Sequence, residues 1–293
     1  MTDATIHPPF GTHALPAWLE KLRRWSLQRP ASGVNRRLAS LVRRVCLAGR
    51  EDPVDVEVFS RARARLFPRS NRCEKAVFAG AQFWDRRERQ ALAAAIADFG
   101  EARPFVFLDI GANVGLYTLF AAAEAARAQR EIRILAVEPD AMNRGRLCLN
   151  IALSEAEGIE VVASAIGGEA GSASLVQPRR NRGEVRLQHG EAAGQKVAVL
   201  TLPQLMSEHG IERVDAMKID IEGEDEAALS TLFAEVAPQR WPRLLIAEAG
   251  RDNTASIIAN VERHGYRLVE RAGINAIFTM SEPGAKAQAQ GGA

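Results

Sequence analysis

From Phe105 onward, short apolar runs alternate with longer amphipathic segments, and this alternation restricts the fold more than any other feature of the chain. The first four residues of the run Phe105–Ile110 are apolar without alternation, so we interpret the run as a strand buried on both faces. Strands separated by helices need crossover connections, which produce a parallel sheet. The predicted strands are Phe105–Ile110, Ile132–Val137, Ile159–Ala163, Ala216–Ile221 and Leu244–Ala247, with helices near Val114–Ala126, Ala141–Leu153, Glu224–Val236 and Thr254–His264.

The last predicted strands form a different unit. Tyr266–Glu270 and Asn275–Met280 flank a turn at Ala272-Gly273, which predicts an antiparallel hairpin at the edge of the sheet. Dinucleotide dehydrogenases usually lack such a hairpin. We expect a mobile loop or hairpin at Arg179–Gly194 and a disordered Gly/Ala/Gln-rich tail at residues 281–293.

Residues 1–100 are predicted to form a basic, mainly helical N-terminal extension before a domain at residues 101–280. Helical periodicity covers Pro16–Gln28, Val34–Leu47 and Trp84–Ala97, and Val54–Phe59 alternates as a strand would. Residues 1–72 hold 14 Lys and Arg against 6 Asp and Glu. Such a basic segment can bind phosphates, nucleic acid or an anionic surface. The alternative is an arginine-rich helical face exposed to solvent. We interpret this segment as a cap over the active site or as a dimer contact.

Several classes of protein are disfavoured by the sequence. No apolar run reaches the roughly 20 residues of a membrane span, and residues 1–10 lack the pattern of a signal peptide, so we expect a cytoplasmic protein. Cys46, Cys73 and Cys148 are odd in number and far apart, and the histidines are scattered, so we predict no disulfide framework and no bound metal. The abundance of arginine and alanine suggests a bacterial source.

A glycine loop follows the first buried strand and opens a helix. In LDIGANVG, Gly111 and Gly115 allow the backbone to pass close to a ligand. Their spacing differs from the Gly-x-Gly-x-x-Gly that brings a helix N-terminus to a pyrophosphate. The carboxylate of Asp109 would repel a pyrophosphate and attract a cation, so the loop predicts a site for a cationic ligand. A strand–turn–helix with packing glycines is the alternative.

The next two strand ends supply further candidate ligand contacts. Glu138 ends the second strand, one βαβ unit after the glycine loop, where a carboxylate can accept both hydroxyl hydrogens of a ribose. Asp140 is predicted to cap the following helix. Ala165 and Ile166 follow the third strand, where this fold places an adenine, although packing alone explains this segment equally well.

Three ionisable residues share one face of the fourth strand. Lys218, Asp220 and Glu222 are two apart, so they project together toward its carboxyl end, where open α/β sheets bind ligands. Charged groups on an otherwise apolar strand are costly unless they are paired or functional. A structural Lys218–Asp220 ion pair is therefore the alternative. Glu248, at the end of the fifth strand, adds a carboxylate to the same rim.

Taken together, these elements resemble the FkbM-type family of methyltransferases. The resemblance rests on FLDIGANVGLYT (107–118), AVEPD (136–140), MKIDIEGEDEAAL (217–229) and GYRLVERAGINAI (265–277), and covers roughly residues 105–280. It implies a Rossmann-like class I methyltransferase fold: an α/β fold with a mostly parallel seven-stranded sheet and a C-terminal antiparallel hairpin. It also implies S-adenosylmethionine as cofactor. By this resemblance, residues Asp109, Gly111, Asn113, Gly115 and Glu138 hold the cofactor, with Asp220 and Glu222 at its reactive end.

The resemblance implies methyl transfer to a hydroxyl of a saccharide or small natural product. Asp220 is the leading candidate for the base that removes the hydroxyl proton, while Glu222, Lys218 or Glu248 could orient the acceptor. Carboxylates near Asp220 could instead hold Mg²⁺.

Three other functions compete with this interpretation. The glycine spacing and the terminal hairpin argue against a nicotinamide oxidoreductase. A nucleic-acid methyltransferase could use the basic N-terminus as a phosphate footprint, but the sequence has no Asn-Pro-Pro-Tyr motif. A partner module that binds the cofactor without catalysis stays open.

Overall fold

The structure of the chain is a computed structural model that describes residues 7–176, 186–188, 195–221, 223–249 and 254–280. Its N-terminal segment contains four helices and a β-hairpin whose strands pair antiparallel. The second hairpin strand and the third helix were not predicted from the sequence. The elements are α1 (Ala17–Leu27), α2 (Gly33–Leu47), β1 (Val54–Val58), β2 (Ala62–Leu66), α3 (Arg72–Gly80) and α4 (Arg86–Ala97).

The remainder of the described chain contains the predicted alternation of strands and helices, together with two strands and a helix that were not predicted, at Ala165–Ile166, Gly171–Val176 and Leu202–Glu208. Its elements are β3 (Phe105–Ile110), α5 (Leu116–Arg127), β4 (Ile132–Val137), α6 (Ala141–Ser154), β5 (Ile159–Val162), β6 (Ala165–Ile166), β7 (Gly171–Val176), β8 (Arg186–Gln188), β9 (Gln195–Leu200), α7 (Leu202–Glu208), β10 (Ala216–Ile219), α8 (Asp225–Glu235), β11 (Leu244–Glu248), α9 (Thr254–Arg263), β12 (Tyr266–Ala272) and β13 (Asn275–Met280).

Seven of these strands form the central sheet, in the order β12-β13-β11-β10-β3-β4-β5. The five strands from β11 to β5 are parallel, and β13 runs antiparallel to both β11 and β12. This confirms the predicted fold class, a Rossmann-like α/β sheet closed by an antiparallel hairpin. Strand order reverses between β3 and β10, and open α/β sheets bind ligands beside such a switch point, at the carboxyl ends of the strands.

The core explains why the first four residues of β3 are apolar without alternation. Phe107 belongs to the hydrophobic cluster on one face of the sheet, and Leu108 and Ile110 belong to the cluster on the other face. The first cluster also contains Leu66 and Phe78 from the N-terminal segment. The N-terminal segment therefore shares a hydrophobic core with the central sheet.

Polar contacts join the N-terminal segment to the rest of the chain at separate points. The backbone N–H of Arg65 donates to Oδ1 of Asn150 at 2.9 Å. The side chain of Asn275, at the start of β13, donates to the buried Glu88 of α4 at 2.8 Å. Because buried polar groups are costly when unpaired, these contacts fix the position of the segment on the sheet.

A smaller sheet, in the order β6-β9-β7-β8, follows β5. The loop or hairpin predicted for residues 179–194 lies mostly outside the described residues, and the predicted tail at residues 281–293 lies entirely outside them. None of the helices in the described ranges combines the length and the hydropathy that crossing a bilayer requires.

Candidate active site

A cleft of about 1010 Å³ opens at the carboxyl ends of the central strands. Gly115 is not among the residues that line this cleft, and Glu222 lies outside the described residues. Of the ten site residues predicted from the sequence, eight line the cleft: Asp109, Gly111, Asn113, Glu138, Ala165, Ile166, Lys218 and Asp220. Glu248 also lines it, as its position at the end of β11 predicted.

The two glycines of the loop after β3 are required by packing within the protein. Gly111 has φ +78°, and a Cβ there would lie 2.1 Å from the carbonyl oxygen of Asp220. Gly115 has φ +83°, and a Cβ there would lie 2.3 Å from a methyl carbon of Leu147. At both positions the missing side chain makes room for a neighbouring element, and that the two glycines also let the backbone pass close to a ligand stays a prediction.

Glu138 links the ends of β3 and β4. Its two carboxylate oxygens accept the backbone N–H groups of Asn113 and Asp140, each at 2.8 Å. Burial raises the pKa of Glu138 to about 7, although these two hydrogen bonds favour the ionised form. Asp140 caps α6 by accepting the N–H groups of Met142 and Asn143, as predicted.

Asp109 lies at the base of the cleft, 1% exposed. Its carboxylate accepts the hydroxyl of Thr118 at 2.6 Å. Burial raises the pKa of Asp109, and the neighbouring Lys218 ammonium opposes this shift. The carboxylate is thus fixed in place beside a cation, in a cleft that other acidic groups also line.

Lys218 and Asp220 form an ion pair at the end of β10, with Nζ 3.0 Å from Oδ2. The Lys218 side chain is 6% exposed, whereas that of Asp220 is 35% exposed and lines the cleft. Burial acts to raise the pKa of Asp220, but the ammonium of Lys218 outweighs it and holds this pKa below its usual value. The ion pair that the sequence left as an alternative is formed, and one of its members still faces the cleft.

Asp85, in the N-terminal segment, lines the cleft and was not identified from the sequence. It occupies the N-cap position of α4 with a left-handed backbone (φ 40°, ψ 48°) and makes no capping hydrogen bond. Its Oδ2 instead accepts the hydroxyl of Tyr117 at 3.1 Å. Burial and the neighbouring carboxylate of Glu88 raise the pKa of Asp85 to about 6. An aspartate in the first turn of a predicted helix is ordinarily interpreted as stabilising the helix N-terminus, which hides this arrangement in the sequence.

Aromatic rings pack beside Asp85 in the wall of the cleft. The ring of Trp84 packs edge-on against that of Tyr117, with centroids 5.1 Å apart. The Nζ of Lys218 lies 5.1 Å from the centroid of the same Tyr117 ring. Asn71 lines the cleft beside the glycine loop, where its side-chain amide donates to the Asn113 side chain at 3.0 Å.

Ser164 is a second residue that sequence reasoning did not select. Ser164 lines the cleft and is 5% exposed, and its buried hydroxyl has no hydrogen-bond partner among the described residues. A buried hydroxyl without a partner costs about 1–3 kcal/mol. In the sequence it stands between alanines and carries no signal beyond its place at a strand end.

The charge of the cleft is predominantly acidic among the described residues. Its basic side chains are Arg72 and Lys218. A surface with this balance attracts cations and repels phosphates. The carboxylates that line it are Asp85, Asp109, Glu138, Asp220, Asp225, Glu226 and Glu248.

Comparisons with known proteins give the following similarities. AMB antimetabolite synthetase AmbE of Pseudomonas aeruginosa is 31% identical, over 56% of this chain and 10% of that protein, so this chain spans about a tenth of its length. The methyltransferase FkbM of Methylobacillus flagellatus is 15% identical with a TM-score of 0.42, over 82% of this chain and 60% of that one. TYW2 of M. jannaschii, solved in complex with AdoMet, is 13% identical with a TM-score of 0.38, over 80% of this chain and 89% of that one.

The sequence model of the protein family described as the methyltransferase FkbM domain matches residues 109–268 of this chain. This match covers more than half of the chain, and it includes the glycine loop, Glu138 and the Lys218–Asp220 pair. The chain therefore belongs to the FkbM family of S-adenosylmethionine-dependent methyltransferases.

Proposed function

We propose that this enzyme methylates a hydroxyl group of a small molecule without negative charge, such as a saccharide or a hydroxylated natural product. The observation that carries the proposal is the acidic cleft of about 1010 Å³. Ligand pockets usually measure roughly 300–1,000 Å³, so this one has room for a nucleoside cofactor and a second small molecule. Its carboxylates suit a cationic cofactor and an uncharged or cationic acceptor.

The residues at the cofactor end fit S-adenosylmethionine. Asp109 offers a buried carboxylate to the ammonium of the methionine part, and Glu138 keeps lone pairs for the ribose hydroxyls. The unpartnered hydroxyl of Ser164 lies beside Ala165 and Ile166, where it would meet the adenine. Bound there, the cofactor supplies an electrophilic methyl group on a sulfonium whose departure leaves a neutral thioether.

We assign the removal of the acceptor proton to Asp85. Its pKa of about 6 leaves it ionised at neutral pH and still basic enough to accept a proton. The hydroxyl of Tyr117 holds its carboxylate in place. Asp220 was the leading candidate on sequence grounds, but Lys218 lowers its pKa and makes it the weaker base. In our proposal Asp220 instead accepts a hydrogen bond from the acceptor and orients it.

Lys218 and Glu222 have supporting roles in this proposal. Lys218 keeps Asp220 ionised through the 3.0 Å ion pair. Glu222 lies outside the described residues, and we keep it as a proposed acceptor contact from its place in the sequence, two residues after Asp220. The left-handed backbone of Asp85 costs of order 1–3 kcal/mol, a strain that recurs at functional sites.

A nucleic-acid acceptor fits the cleft poorly. Nucleic-acid binding draws much of its affinity from basic contacts to phosphates. The described cleft instead presents seven carboxylates and two basic side chains. Repulsion between carboxylates and phosphates would oppose the entry of a polyanion.

An acceptor screen with isotope-labelled S-adenosylmethionine tests the proposal. The panel contains neutral saccharides and hydroxylated metabolites, their phosphorylated counterparts, amines and RNA. We expect label in neutral hydroxylated compounds, and NMR of the product should show an O-methyl group. Label in RNA or phosphorylated compounds alone would refute the proposal. Cofactor binding without transfer to any cell-extract component would favour a non-catalytic partner module.

A further inference from the structure

Two neighbouring helices of the N-terminal segment expose large apolar side chains to solvent. On α1, Trp18 is 63% and Trp25 is 39% exposed, and the two residues are seven apart, so they share one helix face. On α2, Val34, Leu41 and Val45 are exposed with the same helical spacing. We call these five residues the apolar stripe. The buried residues of both helices lie on the neighbouring faces, so the stripe is not part of the core.

Basic residues surround the apolar stripe. Residues 7–50 contain eight arginines and one lysine against a single glutamate, Glu20. Lys21, Arg37 and Arg44 are exposed between the stripe positions. The guanidinium of Arg29 lies 4.3 Å from the centroid of the Trp25 ring. Apolar and aromatic side chains interleaved with basic ones are typical of helices that lie in a membrane interface.

Charge and side-chain type favour a lipid surface over two other partners. A second copy of this chain would bring the same basic face against itself, and like charges facing each other oppose association. The phosphates of a nucleic acid would bind the arginines, but they offer no apolar surface to exposed aliphatic side chains such as Val34 and Leu41. An anionic bilayer satisfies both, because lipid phosphates accept the basic groups and the acyl boundary receives the apolar ones.

We propose that the apolar stripe of α1 and α2 docks this enzyme on an anionic phospholipid bilayer. The rings of Trp18 and Trp25 would lie at the level of the headgroups, as tryptophan does at membrane interfaces. Lys21, Arg37 and Arg44 would contact lipid phosphates. The surface lies outside the catalytic cleft, so the proposal is independent of the acceptor.

The tryptophans give a direct readout. Trp18 and Trp25 are exposed, whereas the other two tryptophans, Trp84 and Trp241, are 8% and 7% exposed. The full chain is mixed with vesicles of phosphatidylcholine alone or of phosphatidylcholine with phosphatidylglycerol. We expect at least about tenfold stronger binding to the anionic vesicles, reversal by salt, and a blue shift of tryptophan emission.

Matched variants locate the contact. Replacing Trp18 and Trp25 with serine should abolish the blue shift and weaken vesicle binding at least about tenfold, with S-adenosylhomocysteine affinity unchanged. The control replaces Val269 and Ile274, two exposed apolar residues of the C-terminal hairpin, with serine and should bind vesicles like wild type. Absence of vesicle binding, binding to RNA instead, or burial of the tryptophans in a concentration-dependent dimer would each overturn the proposal.

Discussion

The hydroxyl of Tyr117 donates to the carboxylate of Asp85 across 3.1 Å and thereby joins the two parts of the chain inside the cleft. Tyr117 belongs to α5, directly after the glycine loop, and Asp85 belongs to the N-terminal segment. Asp85 lies outside residues 109–268, which match the family model, yet its carboxylate lines the same cleft as the family motifs. The N-terminal segment is therefore a structural part of the site.

If Asp85 takes the acceptor proton, Asp85→Asn should lower kcat by about 10²–10⁴-fold. The affinity of this variant for S-adenosylhomocysteine should stay within about twofold of wild type, because Asp85 makes no contact with the cofactor in our proposal. The wild-type rate should rise with pH through about 6, because the base must be ionised, and then level off. Asp98→Asn, at the exposed end of the same helix, is the control. Full turnover by Asp85→Asn would exclude Asp85 as the base.

Tyr117→Phe should move the acidic limb of the same rate profile to higher pH. The Tyr117 hydroxyl donates to Asp85 and favours its ionised form, so the pKa of Asp85 should rise when the hydroxyl is lost. A purely structural role would lower the rate at every pH and leave the limb in place. The measurement is kcat/KM across the pH range in which the folded variant is stable.

Ser164→Ala should weaken binding of S-adenosylhomocysteine without weakening the fold. The Ser164 hydroxyl has no partner among the described residues, so its removal leaves no protein group unpaired. Loss of one hydrogen bond to the adenine should reduce affinity by about 0.5–1.5 kcal/mol, or roughly two- to twelvefold. Calorimetry measures the affinity and urea unfolding measures the stability. The control is Ser207→Ala, at an exposed position of α7. Unchanged affinity would remove Ser164 from the cofactor site.

Arg65→Ala should destabilise the whole fold, because Arg65 and Asp55 form a buried ion pair. The two side chains are 3% and 0% exposed, with Nε 2.7 Å from Oδ1. Removing one partner of such a pair costs about 3–5 kcal/mol. We expect a loss of that size in the free energy of unfolding by urea, whereas Arg61→Ala, at an exposed position of the same hairpin, should change it by less than about 0.5 kcal/mol. A loss confined to local fraying at the N-terminus would contradict the shared core.

The sequence was sufficient to predict the central sheet, because buried parallel strands and the amphipathic helices between them leave strong periodic signals. Asp109, Glu138 and Asp220 were found for a related reason: each lies at the carboxyl end of a predicted strand, and the carboxyl ends of parallel strands meet at one edge. Asp85 and Ser164 were missed because their roles depend on tertiary position. Helix α3 spans only nine residues, and its cap Asn71 could not be distinguished from a turn residue.

Calorimetric titration with S-adenosylhomocysteine, comparing wild type with Glu138→Ala, tests the central claim most directly. Burial raises the pKa of Glu138 to about 7, so its ability to accept from the ribose should decline below that pH. We expect binding by wild type at pH 8, weaker binding at pH 6, and at least about tenfold weaker binding by Glu138→Ala. Glu138→Gln guards against misfolding, and Glu157→Ala, an exposed glutamate, should match wild type. A folded Glu138→Gln and Glu138→Ala that both bind like wild type at every pH would contradict the account.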